Sequence, residues 1–324
     1  MEKILNSTPV RTTNNFKIND IKVDIPDIEF INFNDYKIDG NYNASIKDNF
    51  NSRIGLEYNN YLNIDLDVNK DSINLEFNVN KPLVLNININ SSIQSIINIK
   101  YIGNSIAITK INTNLNNSNI KLNVINLLDK EAYNIIEFTN TLLDSNMTTN
   151  FIDIGGKVKL SNILTDLNSS NSIYNLNNLY VGINEDIIDM NYLINLNKPN
   201  TNSELVVEGL LNGKSKKSFK GTLDFKEGSS DSVGHENENC ILLSDEAKSK
   251  SLPMMLCHEE SVDGAHGVST GKIDEEKLFY LMSRGLSKDD SIRLILNANI
   301  NKVLSNLDNE ELEESISNYI NELI

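Results

Sequence analysis

Three side chains in the last third of the sequence could carry chemistry: His266, Cys240 and Cys257. The imidazole of His266 can bind iron and transfer protons near neutral pH, and its small neighbours Ala265 and Gly267 leave the ring accessible. The two cysteines could supply thiolate ligands to an iron–sulfur cluster, which usually takes four. Two cysteines are too few for that, so a cluster here would be transient or shared with another subunit.

Each of these residues also has a purely structural interpretation. A turn histidine can hydrogen-bond a nearby backbone carbonyl, and free cysteine is among the most buried residue types. His235 lies in a polar stretch predicted to be a solvated loop, and His258 is expected to be exposed. The sequence alone leaves the structural and chemical interpretations open.

Composition and missing motifs exclude several function classes. The net charge of −16 argues against a nucleic-acid groove, which needs clustered Lys and Arg. The one lysine cluster, within 214–220, is predicted to be a solvated turn. No phosphate-binding loop or hydrolase motif occurs, so the chain is expected to be non-catalytic. No apolar run is long enough for a membrane helix and no disulfide framework is indicated, so we expect a soluble cytoplasmic protein.

The middle of the chain, from about residue 60 to 260, shows a hydrophobic period of two. Leu62, Ile64 and Leu66 alternate with polar residues, which predicts half-buried strands. Further short strands are predicted at intervals, including one over 151–160. Their number fits a sandwich, a barrel or a parallel β-helix, and no strict repeat length is visible. Abundant asparagine could ladder at the turns of a β-helix or simply reflect base composition.

After about residue 270 the period changes to that of a helix. A first helix is predicted over 274–284, with Gly285 as its left-handed stop. A second helix is capped by Ser287, and a third by Asp308. Each is amphipathic and therefore needs a partner face.

Four segments, two of which overlap, carry a family resemblance. GAHGVSTGKIDEEKLFYLMSRGL (264–286) resembles the C-terminal signature of the SufB/SufD family, scaffold subunits of the SUF iron–sulfur cluster assembly machinery. DGAHGVSTGK (263–272) and NCILLSDEAKSKSLPMM (239–255) resemble the SufD form more than the SufB form. PVRTTNNFKIND (9–20) is similar to a short N-terminal segment of SufD-like proteins.

The resemblance implies an architecture and a role. It implies a mainly β fold, with an irregular N-terminal segment (1–60), a right-handed parallel β-helix (61–270) and a C-terminal helical subdomain (271–324). By resemblance, the chain is a SufD-like scaffold subunit that pairs with a SufB-like subunit and docks a SufC-type ATPase. A transient Fe–S cluster would be shared with the partner, and none would stay tightly bound to the isolated chain. No nucleic-acid or membrane partner is implied, and a homodimer of the isolated chain is left open.

The resemblance also assigns roles to single residues. His266 matches a SufD position at the SufB interface, and Cys240 lies two residues from the position of a functional SufB cysteine. Both are therefore candidates for cluster assembly and for metal binding. The residues expected to contact the ATPase share the first C-terminal helix and its stop: Leu278, Phe279, Tyr280, Arg284 and Gly285. The competing interpretations are a β-solenoid surface or adhesion protein and a β-helical carbohydrate-active enzyme, which would need clustered carboxylates on one face.

Overall fold

The computed structural model describes residues 3–8, 17–26, 28 and 33–323. These residues form twenty strands and three helices, numbered in chain order. The strands are β1 Lys3–Ile4, β2 Lys22–Val23, β3 Tyr36–Asp39, β4 Asn41–Asn51, β5 Glu57–Asp67, β6 Ser72–Asn78, β7 Leu83–Ser91, β8 Gln94–Gly103, β9 Ile106–Asn116, β10 Asn119–Leu128, β11 Tyr133–Leu143, β12 Asn146–Asp153, β13 Val158–Leu167, β14 Ile173–Gly182, β15 Ile187–Leu196, β16 Asn202–Leu211, β17 Lys216–Phe225, β18 Ser232–Leu242, β19 Lys248–Cys257 and β20 Val262–Lys272. The helices are α1 Glu275–Ser283, α2 Lys288–Leu304 and α3 Glu310–Leu323.

The chain winds between two facing sheets. Sheet I has the order β20-β18-β16-β14-β12-β10-β8-β6-β3, and sheet II has the order β19-β17-β15-β13-β11-β9-β7-β5-β4. Neighbours are parallel from β6 onward in sheet I and from β5 onward in sheet II. The result is a parallel β-solenoid of about eight turns with three C-terminal helices. The predicted fold class, a parallel β-helix with a C-terminal helical subdomain, is confirmed.

The turns of the solenoid lengthen along the chain. Residues stacked on neighbouring turns are 23 positions apart at Leu62 and Leu85, but 32 apart at Lys216 and Lys248. The corners supply part of the increase, from four residues at 79–82 to six at 226–231, and longer strands supply the rest, from seven residues in β6 to eleven in β18. This drift explains why the sequence shows alternation without a fixed repeat.

The inside of the solenoid, its lumen, is filled by every second residue of each strand. The apolar members belong to one continuous buried cluster that runs from Leu62 to Ala247. On the outer face of sheet I, aligned asparagine amides hydrogen-bond from turn to turn over 2.8–2.9 Å. This ladder consists of Asn74, Asn98, Asn123, Asn150 and Asn177. Asparagine therefore has a structural role here, whatever the base composition contributes.

Two glycines correct the prediction of one strand over 151–160. The chain instead turns a corner between β12 and β13. Gly156 has φ +84°, which favours glycine, and a Cβ on Gly155 would lie 2.3 Å from backbone atoms of Leu128 on the previous turn. The close approach of two turns, which periodicity cannot show, sets this corner.

The N-terminal part differs from the irregular segment predicted for 1–60. Strands β3 and β4 pair antiparallel with β6 and β5. They form the first rung of the solenoid, where a rung is one strand of sheet I together with the facing strand of sheet II. Asn6, in the segment 3–8, lies across the outer face of sheet II, where its amide donates to Asp189 Oδ1 over 2.9 Å. Within the predicted SufD-like segment 9–20, residues 9–16 lie outside the described residues.

Helices α2 and α3 cover the outer face of sheet I. Leu296, Ile300 and Ile316 pack on Ile152 and Leu179 of the sheet. This contact satisfies the predicted need of these amphipathic helices for a partner face. In contrast, no residue of α1 is buried.

The helix ends follow the sequence closely, with one exception. Gly285 has φ +101°, and the amides of Gly285 and Leu286 bond the carbonyls of Met282 and Leu281, as in a Schellman stop. Ser287 caps α2 as predicted. The predicted cap of α3, Asp308, is wrong: the side chain of Asn309 accepts from the amide of Leu312 over 3.1 Å. The Asp308 backbone has φ +54° and belongs to the preceding turn.

Candidate functional site at the open end of the solenoid

The C-terminal end of the solenoid is uncovered. Strands β19 and β20 are the outermost strands of sheets II and I, and each has only one neighbour in its sheet. Every residue of β20 is exposed or half-buried. The described residues therefore leave the backbone edge of this last rung free.

His266 lies on this last rung and faces the lumen row. A Cβ at Gly264 would meet the sulfur of Met255 at 2.6 Å, so position 264 points inward, and His266 two residues later points the same way. Its neighbour on β18 is Glu236. The predicted turn at His266 is thus an extended strand, and the ring is exposed because no other described strand stacks on β20 from the outside.

A buried polar cluster lies one rung below. The Nζ of Lys217 pairs with Glu238 and donates to Ser251 Oγ over 2.8 Å, while the hydroxyl of Tyr180 donates to Glu238 Oε1 over 3.0 Å. Both charged side chains of the pair are fully buried. Because a buried charge is costly unless it is paired, this pair must form whenever the last rung is closed.

The prediction of a solvated lysine turn is therefore wrong for two of its members. Strand β17 starts at Lys216, which makes Lys217 a lumen residue. Lys220 points outward but is covered by the segment 3–8: it pairs with Asp189 at 2.5 Å and donates to the Asn6 carbonyl over 2.7 Å. Local sequence could not show either cover, because Glu238 lies across the lumen from Lys217 and the segment 3–8 is far from Lys220 in the sequence.

Glu236 is the most unusual group of the site. It is fully buried, and neither carboxyl oxygen has a hydrogen-bond partner among the described residues. A Cβ on Gly221 would lie 2.2 Å from Oε1, so the carboxyl fills the space that this glycine leaves in the opposite sheet. Burial, helped by the neighbouring Glu238 charge, raises the pKa of Glu236 to about 8. The group is thus a neutral acid beneath His266 at pH 7.

The two cysteines lie far apart. Cys240 faces the lumen and is 1% exposed, and burial raises the pKa of its thiol. Ser249, which contacts Cys240, stands eight residues before Cys257 on β19, or ~26 Å at about 3.3 Å per residue. Cys257 is exposed. Cys240 therefore points into the solenoid rather than to a surface, and Cys257 is not the buried hydrophobe that its type suggested.

The other histidines stand apart from this row. His235 lies in β18, not in a loop, and its Nε2 is 3.9 Å from Asp263 Oδ1. The Nε2 of His258 is 3.6 Å from Asp224 Oδ1 on the outer face of sheet II. Within the described residues, no three His, Cys, Asp or Glu side chains converge on one point as metal ligands.

A second exposed feature is helix α1. Phe279 is 74% exposed and Tyr280 56%, and the guanidinium of Arg284 stacks on the Tyr280 ring at 5.2 Å. Leu278 is half-buried, and Gly285 ends the helix. The five residues predicted to bind an ATPase thus lie together, on a helix that leaves large apolar side chains in solvent.

By its architecture the chain is a parallel β-solenoid protein with a helical C-terminal subdomain, and its described residues leave the C-terminal end of the solenoid open. A family model for the "SUF system FeS cluster assembly, SufBD core domain" matches residues 77–299, which is well over half of the chain. The chain belongs to this SufBD core family.

Individual relatives agree. The iron–sulfur cluster assembly protein SufD of Escherichia coli is 26% identical over 163 residues, or 50% of this chain and 38% of that protein. SufD of Bacillus subtilis is 26% identical over 116 residues, or 36% of this chain and 26% of that protein. A SufBD family protein of Pyrococcus horikoshii is 36% identical over 74 residues, or 23% of this chain and 17% of that protein.

The matched parts thus span well under half the length of these curated relatives. The predicted SufB/SufD resemblance, with its SufD-like character, is confirmed. Among the described helices, none has both the length and the apolar character that a membrane crossing requires.

Proposed function

We propose that this chain is a non-catalytic, SufD-like scaffold subunit of a SUF complex that assembles Fe–S clusters. The family supports the role in cluster assembly. The observation that carries the proposal is the open last rung, which presents His266 on a free strand edge above a sealed polar cluster. An exposed edge with main-chain donors and acceptors is a ready surface for strand pairing with another protein.

In this proposal, a SufB-like subunit pairs with β19 and β20. His266 then faces the partner as an iron ligand or an acid–base group. Cys240 becomes available only if the last rung moves away. The cluster is the cargo of the complex and takes most of its ligands from the partner, since His266 is the one histidine or cysteine on β20.

Strand pairing at the open end can be tested with Val268, which is 39% exposed on the lumen row of β20. Val268→Lys should abolish co-purification with a SufB-like subunit, because it places a charge in the interior where the lumen of this chain would meet that of the partner. Ile93→Lys, at an exposed site far along the solenoid, is the matched control. Undiminished pairing of Val268→Lys would contradict the proposed interface.

The SufC-type ATPase is proposed to dock on α1. Deleting residues 274–324 would test this poorly, because it would also strip α2 and α3 from the apolar face of sheet I. Phe279→Asp is sharper: the side chain is exposed, so folding should be unchanged while ATPase capture is lost. If the chain were instead a carbohydrate-active enzyme or an adhesion protein, neither the original chain nor the Phe279→Asp variant should capture an ATPase.

A further inference from the structure

The opposite, N-terminal end of the solenoid is a second open edge. Strand β4 is the last strand of sheet II and pairs only with β5, and none of the described residues pairs with its outer edge. All but one of its eleven residues are exposed. The unpaired backbone groups of a long edge strand form a ready template for pairing with another chain.

The lumen row of β4 carries apolar side chains into solvent. Tyr42, Ala44 and Ile46 oppose Leu66, Ile64 and Leu62 of β5, which are buried lumen residues. Tyr42 is 39% exposed and Ile46 57%. At this end, therefore, the described part of the chain provides no layer that covers the apolar interior.

The sequence of β4 is complementary to itself. When two β4 strands pair antiparallel with Ala44 at the centre, Tyr42 of each copy lies opposite Ile46 of the other. Aromatic and β-branched residues are favourable cross-strand partners. The same register sets Lys47 opposite Asn41 and Asp48 opposite Gly40, so no like charges meet.

A two-fold axis through Ala44, perpendicular to the sheet, keeps both lumen rows on the same side. The axis also passes through sheet I, so the β3 edges of the two copies meet as well. Such an isologous contact closes on two copies. We infer that a second copy of this chain pairs with β4 at the N-terminal end, centred on Ala44, and joins two solenoids end to end.

This interface lies at the other end of the solenoid from His266, and the inference does not depend on the proposed function. A chain can therefore use β4 for a second copy while β19 and β20 serve another subunit. Self-association through the C-terminal edge is the main competing explanation for any dimer, and Val268→Lys removes it. All measurements are made in that background, with Cys257→Ser to remove the exposed thiol.

The test is register-specific disulfide formation. In the inferred pair the two Ala44 Cα atoms face each other at roughly 4.5–5.5 Å, within disulfide range. Ala44→Cys should therefore give a covalent dimer on mild oxidation. Ser45→Cys is the matched control: its equivalent residues are displaced along the strand and point to the outer face, so little dimer should form.

Light-scattering mass in solution gives a second measurement. It should be made at physiological ionic strength, because the net charge of −16 opposes association and is screened beyond ~8 Å there. The mass should correspond to two chains, and Ile46→Lys should return it to one. Since Ile46 is exposed, this variant should keep its fold, which circular dichroism checks. A single-chain mass before substitution, or equal crosslinking of the two cysteine variants, would overturn the inference.

Discussion

Glu236 lies directly beneath His266 on the lumen row of sheet I, the first side chain fully buried and the second exposed. One rung of the solenoid thus separates a sealed polar cluster from solvent. The position of His266 depends on backbone pairing, whereas its side chain contributes little packing. The two neighbours should therefore respond differently to substitution.

His266→Ala should change the free energy of unfolding by about 1 kcal/mol or less, as exposed substitutions usually do. In the full complex the same variant should lower the rate and yield of cluster formation. His235→Ala is the control, since His235 belongs to the adjacent strand but lies outside the lumen row. Normal cluster formation by His266→Ala would show that the proposed role is wrong, and a strongly lowered thermal midpoint would show that the residue is structural.

Gly221→Ala should destabilise the chain, because its Cβ would lie 2.2 Å from the carboxyl of Glu236. Overpacking of this kind typically costs about 1–3 kcal/mol. Glu236→Ala should relieve the clash, so the double variant should be more stable than the sum of the two single effects predicts. Gly271→Ala, with no atom within 4 Å, should be nearly neutral.

Simple additivity of Gly221→Ala and Glu236→Ala in urea unfolding would contradict this contact. A strong effect of Gly271→Ala would instead mean that strand glycines act through the backbone.

These contacts mark the limit of what the sequence can predict. Alternation identified the strands, and Gly285 and Ser287 fixed two helix ends, because those signals lie within a few residues. Which turn stacks on which depends on corners whose lengths vary, so the pairing of Glu236 with His266, thirty positions apart, carries no local signal. For a related reason Lys217 resembled a surface lysine: its ion-pair partner Glu238 lies across the lumen, in the opposite sheet.

Asp189 should make stability depend on pH. Burial raises its pKa to about 6, although Lys220 and Asn6 bond the carboxylate, and Asp20 adds to the upward shift. Because the folded pKa exceeds the ordinary 3.8, the stability that this group contributes is complete below about pH 3.8 and is lost as pH rises through about 6.

Asp189→Asn removes this titration. The free energy of unfolding of the variant, minus that of the original chain, should therefore increase as pH rises from 4 to 7. The increase should reach up to about 3 kcal/mol, at ~1.4 kcal/mol per pKa unit. Urea unfolding at each pH gives the difference. A difference that moves the other way would mean that the ion pair with Lys220 outweighs the cost of burial.

The two thiols should differ sharply in reactivity. A thiol reacts as its thiolate and only where the reagent can reach it. Cys257 is exposed, whereas Cys240 is enclosed by the last rung and burial raises its pKa. In the native chain, one thiol should therefore react promptly and a second only in denaturant. Cys257→Ser should abolish the fast phase and Cys240→Ala should leave it unchanged.

A fast native reaction of Cys240 would show that β19 and β20 open readily. That result would restore Cys240 as a candidate cluster ligand, because the polar cluster around Glu238 would then be accessible from the open end.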